Sequence, residues 1–287
     1  MSGPLDHEPV NHGPLGQKSA YPETYAPQVL HPIARELGRR EIGLKSGWPF
    51  QGEDVWNAYE MSWLAPGGKP QVALLELRVS AQSACIVESK SLKLYFGSFN
   101  QTEFANWDEV KTTIARDVSA AAGATVQVTL LALDAGQNPL AALPGECIDD
   151  EPVQVAQFTV DPELLQLDVS AGGAIVSAKK VVSETLHSHL LRSCCPVTGQ
   201  PDWASVFIQY RGAKISRSAL LRYLISFRNN QEFHEQCVER IFMDIQQRCR
   251  PEQLTVYARY TRRGGIDINP WRSTEPGSAP NWRLVRQ

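Results

Sequence analysis

The chain has 287 residues, of which 43% are hydrophobic and 21% are charged, and its formal net charge is −3 at pH 7. This length provides material for about two domains with buried cores. The small negative charge gives no basic field that would attract a nucleic acid or an anionic membrane, and no apolar run reaches membrane-spanning length. The six cysteines show neither metal-ligand spacing nor a dense disulfide framework, which favours free thiols in a reducing cytoplasm.

The first half of the chain predicts an arm followed by a lobe. Residues 1–30 are rich in proline, glycine and histidine, and they predict an extended arm without a signal-peptide core. The lobe is expected over residues 31–135. Its apolar alternation predicts strands at 55–64, 71–80 and 125–133, and a Pro-Gly turn separates the first two.

Two helices are predicted between the second and third strands. Ser89 is the expected N-cap of the first, and Lys93 is expected to face solvent. The apolar stripe of this helix falls at i, i+3, i+4 and i+7: Leu92, Tyr95, Phe96 and Phe99. Asn106 and Glu109 form a capping box for the second helix, which is expected to end at Gly123.

The second half of the chain predicts a linker and a second lobe. The linker is expected over 136–152, where prolines and glycines are frequent, and its acidic run at 149–151 predicts a solvated surface. The second lobe is expected over 153–287. Apolar alternation over 153–190 predicts hairpin-like strands.

The second lobe repeats the first. Adding 131 to the residue number aligns Leu64 with Cys195, Gly68 with Gly199 and Pro70 with Pro201. Adding 128 aligns Leu92 with Leu220, Tyr95 with Tyr223, Ser98 with Ser226 and Phe99 with Phe227. A further helix from about Glu232 ends before Pro251, and a strand follows at 254–260. Each lobe therefore has the order strand, strand, helix, helix, strand, which indicates a duplicated fold.

The duplication has divided the reactive residues between the two copies. The first copy contains Glu88-Ser89-Lys90, whereas the second has Ser216-Arg217-Ser218 at that place. The second copy contains Cys195 where the first has Leu64. This complementary distribution predicts a single site to which each lobe contributes one half.

The loop around Cys195 carries the most reactive groups. Two prolines and a glycine make it turn-rich, and it leads into an apolar strand. Cys195 offers a sulfur nucleophile, and Asp202 offers a carboxyl group that can move a proton. Taken alone, Cys195 also fits a small buried hydrophobe. Packing roles are expected for the other cysteines: Cys85, Cys147, Cys194, Cys237 and Cys249.

Four segments point to a known family. Glu-Ser-Lys-Ser-Leu-Lys-Leu-Tyr at 88–95 resembles the signature of the QueF nitrile reductases, and Cys-Pro-Val-Thr-Gly-Gln-Pro-Asp at 195–202 resembles their catalytic loop. Phe-His-Glu at 233–235 and Arg-Arg-Gly-Gly at 262–265 also match. The resemblance extends from about Leu15 to the C-terminus, and its motif order is that of the long, two-lobed branch of the family.

The resemblance implies an α+β protein of two tandem tunnelling-fold (T-fold) lobes, with antiparallel sheets and helices packed on one face. It implies reduction of 7-cyano-7-deazaguanine to 7-aminomethyl-7-deazaguanine with two NADPH per turnover and no metal, in the queuosine pathway of tRNA modification. A cytoplasmic homodimer that acts on a small molecule is expected, with no membrane partner and no direct binding of nucleic acid.

The resemblance also assigns roles to individual residues. Cys195 would add to the nitrile carbon to give a thioimide, and Asp202 would protonate the nitrile nitrogen. The substrate would be bound by Val87, Glu88, Ser89, His234 and Glu235. The cofactor would be bound by Ser89, Lys90, Arg263 and Gly264, through charge and close backbone approach.

Two other functions fit the same residues. A cysteine hydrolase or transferase would use Cys195 with His234 and would need no NADPH. A purine- or pterin-binding module would have no catalysis at all. Apart from the resemblance, His234 and Glu235 also fit ordinary groups at a helix start, and Arg262 and Arg263 fit a solvated pair.

Overall fold

The structure is a computed structural model that describes residues 21–44, 47–134, 139–168 and 181–287. Its strands are β1 (Pro32–Ala34), β2 (Gln51–Leu64), β3 (Pro70–Ser80), β4 (Cys85–Val87), β5 (Val126–Leu131), β6 (Glu146–Cys147), β7 (Val181–Cys194), β8 (Pro201–Ala213), β9 (Gln253–Tyr260) and β10 (Ile266–Ser273). Its helices are α1 (Arg35–Glu41), α2 (Ser89–Gly97), α3 (Trp107–Ala122), α4 (Arg217–Ser226) and α5 (His234–Cys249). Within the described ranges, no helix is long and apolar enough to span a membrane.

Eight strands form one sheet in the order β5-β3-β2-β10-β9-β8-β7-β6, and β1 pairs with β4 separately. Neighbouring strands of the large sheet are antiparallel, except that β6 is parallel to β7. The predicted α+β class with antiparallel pairing is therefore confirmed. Because β10 pairs with both β2 and β9, the two repeats share one continuous sheet.

The helices cover one face of this sheet. Side chains alternate along a strand, so every second residue reaches the helices. In the first repeat, Leu75 of β3 packs in one core with Tyr95 of α2 and Ile114 of α3. In the second repeat, Ile208 of β8 packs with Ile241 of α5 in the equivalent core. The register across β10 places both cores on the same face.

The opposite face carries a smaller apolar cluster. Phe207 of β8, Tyr257 of β9 and Trp271 of β10 form it. Ala279 and Leu284 from the C-terminal segment pack against these aromatic side chains. The chain end therefore covers part of the face that has no helices.

The repeat predicted from the sequence is present in the backbone and in the packing. β2 is bulged between Ala58 and Met61, and β7 is bulged between Ser188 and Leu191. A tyrosine hydroxyl donates to an aspartate within each helix pair, from Tyr95 to Asp117 (2.7 Å) and from Tyr223 to Asp244 (2.6 Å). The two halves of the chain therefore share a bulged first strand and the same tyrosine–aspartate contact.

The predicted boundaries of α3 are confirmed by its caps. The side chain of Asn106 accepts a hydrogen bond from the Glu109 N–H (2.9 Å), and the Glu109 carboxylate accepts one from the Ala105 N–H (2.6 Å). Gly123 ends the helix in the left-handed region at φ 67°, which glycine adopts without a steric penalty.

Neither α1 nor β10 was predicted from the sequence. The buried side chains of α1 are Arg35 and Arg39, so this short helix has no apolar stripe to reveal it. β10 contains Pro270, which argues against a central strand, and its buried Asp267 and Asn269 interrupt the apolar alternation. Both elements are stabilised by polar contacts made far along the chain.

Part of the predicted arm and linker is packed. Tyr25 lies edge-on against Phe99, with ring centroids 5.6 Å apart, while residues 1–20 of the predicted arm lie outside the described residues. In the predicted linker, Leu143 and Ile148 are buried, and β6 extends the sheet. The stretch 139–152 is therefore part of the fold.

The prediction of hairpin-like strands over 153–190 is correct only near its end. β7 begins at Val181, and residues 169–180 lie outside the described part of the chain. Val153 and Val160 pack against the second-repeat core without joining a sheet. Their alternation therefore reflects contact with the core and not strand pairing.

A buried network of charges joins the two repeats on the helix face. Asp54 of β2 contacts Arg35 of α1 (2.5 Å) and Arg272 of β10 (2.8 Å). Glu239 of α5 contacts Arg39 of α1 (2.8 Å) and Arg272 (2.8 Å). Burial acts to raise the pKa of both carboxyls, but the arginines outweigh it and hold both pKa values below their ordinary range. Both groups are therefore carboxylates at neutral pH.

We expect Glu239→Gln to lower the free energy of unfolding by about 3–5 kcal/mol, because it leaves the buried guanidinium of Arg39 without its anion and leaves Arg272 with Asp54 alone. Urea unfolding followed by circular dichroism measures the change. Glu36→Gln is the matched control, since Glu36 pairs with Arg40 at the surface and should cost less than about 1 kcal/mol. Equal destabilisation of both variants would contradict the role given to the network.

Candidate active site

A tight loop between β7 and β8 presents Cys195. Cys194 and Pro201 are the last ladder pair before it. The Cys195 N–H donates to the carbonyl of Gln200 (2.9 Å), and the Gly199 N–H donates to the carbonyl of Cys195 (3.0 Å). Gly199 adopts φ 68°, a conformation that favours glycine. The backbone of Cys195 is thus held on both sides.

The two adjacent cysteines have different surroundings. The Cys194 N–H donates to the carbonyl of Asn230 (2.7 Å), and its Sγ lies 3.7 Å from the carbonyl of Arg228. Cys195 lines a pocket instead. The prediction that Cys194 is a packing residue agrees with these contacts.

The pocket lies where the two repeats meet. Apolar walls come from both repeats and from β10: Trp56, Ile86, Val87, Pro196, Phe233, Ile266 and Ile268. Polar groups also come from both repeats: Ser89, Lys93, Cys195, Asp202, Glu232, His234, Glu235, Thr261 and Arg263. The structure therefore brings most of the sequence-predicted residues to one place.

The surroundings of Cys195 favour its thiolate. Burial acts to raise the pKa of the thiol, but hydrogen bonds from the hydroxyl and N–H of Thr198, the N–H of Val197 and the side chain of Arg263 outweigh it. The pKa of Cys195 is therefore below its ordinary value, which increases the reactive thiolate at neutral pH. This result argues against Cys195 being an inert buried residue.

Asp202 is buried between two basic side chains. One carboxylate oxygen lies 3.3 Å from Nε2 of His234, and the other lies 3.2 Å from Nε of Arg263. The His234 ring stacks on Tyr260, with centroids 3.7 Å apart and the planes nearly parallel. The Arg263 guanidinium also donates to the side chain of Gln200 (2.9 Å). Asp202 and His234 are therefore held rigidly at the pocket.

Glu235 is a buried carboxyl group that titrates near neutrality. Burial first, and the charge of Asp54 second, raise its pKa from the ordinary 4.5 to about 7, although Arg35 and His234 act in the opposite direction. Glu235 lies in the first turn of α5 and lines the pocket. A group of this kind can change its hydrogen-bonding role close to physiological pH.

Glu88, not Ser89, is the N-cap of α2. Its carboxylate accepts hydrogen bonds from the N–H groups of Lys90 (2.6 Å) and Ser91 (2.8 Å). Glu88 is fully buried just after β4. Its side chain is longer than that of Ser89 and reaches both N–H donors. Two N–H groups that suit a phosphate are therefore already paired, while Val87 and Ser89 line the pocket beside this cap.

Lys93 does not face solvent, contrary to the prediction. It lines the pocket, and burial and then Arg263 lower its pKa while Glu88, Asp202 and Cys195 act to raise it. The signal was available, because Lys93 follows Ser89 by four residues and so lies on the same face of α2. Lys93 lies opposite the apolar stripe of α2, and that side of the helix faces the pocket.

Two of the predicted cofactor residues are not among those that line the pocket. A side chain added at Gly264 would meet Lys93 at 3.3 Å, so Gly264 lies directly against a lining residue. Lys90 lies in the first turn of α2 behind Glu88. The other residues that sequence reasoning missed are mostly apolar, such as Trp56 and Ile86, and carry no chemical signal of their own.

Comparison with known proteins identifies the family. A model described as nitrile reductase, 7-cyano-7-deazaguanine-reductase N-term matches residues 21–130, and a QueF-like protein model matches residues 201–278. An NADPH-dependent 7-cyano-7-deazaguanine reductase of Chromohalobacter salexigens is 50% identical over 97% of this chain and 98% of its own. This chain belongs to the QueF nitrile reductase family.

Other members of the QueF family give the same result. The reductase of the same name from Azoarcus sp. (strain BH72) is 55% identical over 91% of this chain and 90% of its own. The reductase of the same name from Saccharophagus degradans is 50% identical over 95% of this chain and 98% of its own. The apo crystal structure of an archaeosine synthase QueF-Like aligns with 35% of this chain and 100% of its own, at 15% identity and a TM-score of 0.30.

We expect Thr198→Val to raise the pKa of Cys195, because the variant removes a hydroxyl that donates to the thiolate. Alkylation of Cys195 by iodoacetamide at pH 7 should slow roughly tenfold, since a hydrogen bond to a charged group contributes roughly 1.5 kcal/mol. The rate is followed by intact mass. Thr198→Ser keeps the hydroxyl and is the control; a slowing of equal size in both variants would contradict the assignment.

Proposed function

We propose that this protein reduces the nitrile of 7-cyano-7-deazaguanine to the primary amine with two NADPH. The observation that carries the proposal is the shared pocket, in which Cys195 of the second repeat, with its lowered pKa, faces Val87 and Ser89 of the first. The names of the relatives supply the reaction and its cofactor.

The thiolate of Cys195 would begin the reaction. A nitrile carbon accepts hydride poorly until a nucleophile adds to it, and covalent catalysis divides such a step into easier ones. Sγ would form a bond to the nitrile carbon while the nitrile nitrogen takes a proton, which gives a thioimide. The first hydride would convert this to a thiohemiaminal. Loss of the thiolate would then leave an imine for the second hydride.

Asp202 would supply the proton to the nitrile nitrogen. It is 4% exposed and lies on the wall of the same pocket as Cys195. His234, 3.3 Å from the Asp202 carboxylate, is placed to return a proton to it after each addition. The surrounding apolar side chains, Trp56 and Phe233 among them, would keep water from hydrolysing the thioimide.

The basic groups of the pocket fit a phosphorylated cofactor. Lys93 and Arg263 lie beside the thiol, and Ser89 adds a hydroxyl. NADPH, when bound, supplies the two hydrides that balance the reduction. We propose that these side chains, with Lys90 and Gly264, hold its phosphates.

The substrate would lie against the remaining pocket wall. In its carboxylate form, Glu235 would accept hydrogen bonds from the N–H edge of the purine-like ring, and Glu88 would do so behind Ser89. Val87 and His234 would position the ring near Cys195.

The rest of the proposal is a cytoplasmic homodimer of paired T-fold lobes in queuosine biosynthesis. The six free cysteines suit a reducing compartment.

We expect a covalent adduct when the purified protein is mixed with 7-cyano-7-deazaguanine, because the thiolate can add before any hydride is available. Intact mass should rise by the mass of the substrate, and addition of NADPH should then oxidise two NADPH per amine formed. Cys195→Ala should remove both signals. Cys194→Ala, which changes the neighbouring thiol, should retain them.

Two other outcomes would replace the proposal. An adduct that turns over to a carboxylate or an amide without NADPH would indicate a hydrolase. A folded protein that binds the nucleobase with neither adduct nor oxidation would indicate a binding module.

We expect the affinity for the nucleobase to fall as the pH drops below about 7, because Glu235, whose pKa is raised to about 7, is then protonated and accepts fewer hydrogen bonds. Calorimetric titration of Cys195→Ala across this range measures it without covalent chemistry. Adding Glu235→Gln should weaken binding and remove this pH dependence. An unchanged profile in the double variant would exclude Glu235 as its origin.

A further inference from the structure

A cluster of potential metal ligands lies outside the pocket. Cys147 of β6 and His187 and His189 of β7 each offer one ligand atom, and these atoms lie within 4.8 Å of one another. None of the three lines the pocket. The cluster joins the packed stretch 139–152 to the edge of the large sheet, so it has no part in the reaction proposed above.

The backbone brings these residues together. β6 is parallel to β7, with Cys147 directly opposite His187. Residues two apart on a strand share a face, which places His189 beside His187. His187 also pairs with Phe207 of β8, so the cluster lies on the face without helices. The spacing in the sequence gave no sign of it, because 40 residues separate Cys147 from His187 in the chain.

Both imidazoles are oriented by a second partner. Nδ1 of His187 lies 3.1 Å from the carbonyl of Pro144, to which it donates. Nδ1 of His189 lies 2.8 Å from Oγ of Ser205. In each ring Nε2 is then the nitrogen left for a metal, and such orienting partners are typical of metal-binding histidines.

The bulge in β7 is held by a carboxylate next to the cluster. Asp149, which was expected to lie on a solvated surface, accepts hydrogen bonds from the hydroxyl of Ser188 (2.6 Å) and the N–H of His189 (3.0 Å). This contact fixes the backbone that carries His189. Asp149, the first residue of the acidic run at 149–151, therefore stabilises the bulge in β7.

Two carboxylates lie near the cluster. The side chain of Asp149 contacts the N–H of His189 (3.0 Å), and the charges of Asp149 and Asp150 both act on the Cys147 thiol. Negative charge beside the ligands suits a cation, and a bound metal would displace the thiol proton.

We propose that Cys147, His187 and His189 bind a zinc ion that fastens β6 and its flanking chain to the edge of the sheet. Nitrogen and sulfur ligands select zinc over the hard cations Mg²⁺ and Ca²⁺. Tetrahedral bonds of about 2.1 Å to nitrogen and 2.3 Å to sulfur separate ligand atoms by roughly 3.6 Å. Small rotamer adjustments close the cluster to that distance, and water completes the fourth position.

Cobalt(II) is the probe, because it replaces zinc and reports its ligands by absorbance. All variants carry Cys195→Ala, which removes the active-site thiol. We expect metal-stripped protein to bind one equivalent of Co²⁺, with the intense visible bands of a tetrahedral site and a thiolate charge-transfer band. Added Zn²⁺ should displace Co²⁺ and so remove the visible bands and the charge-transfer band. It should also raise the midpoint of thermal unfolding, because the metal binds only the folded state.

Two variants test the ligands, and a third is the control. Cys147→Ser should abolish the charge-transfer band, and His187→Ala should weaken affinity by more than the roughly 10–100-fold that loss of an orienting partner costs. Cys85→Ser, at a cysteine outside the cluster, should change neither. Circular dichroism of the metal-free variants checks that each is folded. Absence of a thiolate band, or a band that survives Cys147→Ser, would overturn the proposal.

Discussion

The position of the two repeats depends on five buried charges. Arg272 of β10 is shared between Asp54 of the first repeat and Glu239 of the second, while Arg35 and Arg39 of α1 complete the two pairs. Buried ions are tolerated only when their partners are correctly placed, since an unpaired buried charge is strongly destabilising. The network therefore favours one arrangement of β2, β10 and α5, and the pocket forms where these elements meet.

The same network extends to the chemistry of the pocket. Glu235 precedes Glu239 by four residues on α5, so both lie on one face of the helix. Burial first, and the charge of Asp54 second, raise the pKa of Glu235, while Arg35 acts to lower it. Two residues of the network therefore contribute to the protonation of a pocket residue. A structural ion network and the site residue thus share the same electrostatic field.

Duplication explains how one pocket can depend on two halves of a chain. Each repeat has its own core and its own tyrosine–aspartate hydrogen bond, and the pocket takes residues from both. The first repeat keeps the capped helix α2, with Ser89 and Lys93 on its pocket face, and the second keeps the loop of Cys195. Strand β10 brings these parts together by pairing with both repeats.

Local patterns in the sequence determined the elements that have local causes. The family motif at 195–202 singled out Cys195 and Asp202, and the structure places both in one pocket. Apolar periodicity predicted β2, β3, α2 and α5, and the capping box of Asn106 and Glu109 predicted the start of α3. These predictions succeeded because strand alternation, helix capping and turn formation depend on residues only a few positions apart.

Only the tertiary structure decided the features whose partners are distant in the chain. α1 and β10 have polar buried faces whose charged partners, Asp54 and Glu239, lie in β2 and α5, so no apolar pattern marks them. Glu88 replaces Ser89 as the cap because its carboxylate is buried against two N–H groups, and Lys93 turns to the pocket because the second repeat packs there. The cluster of Cys147, His187 and His189 exists only because β6 pairs with β7. The sequence by itself thus determined the repeated elements and their reactive residues, whereas long-range pairing and charge burial decided how they meet.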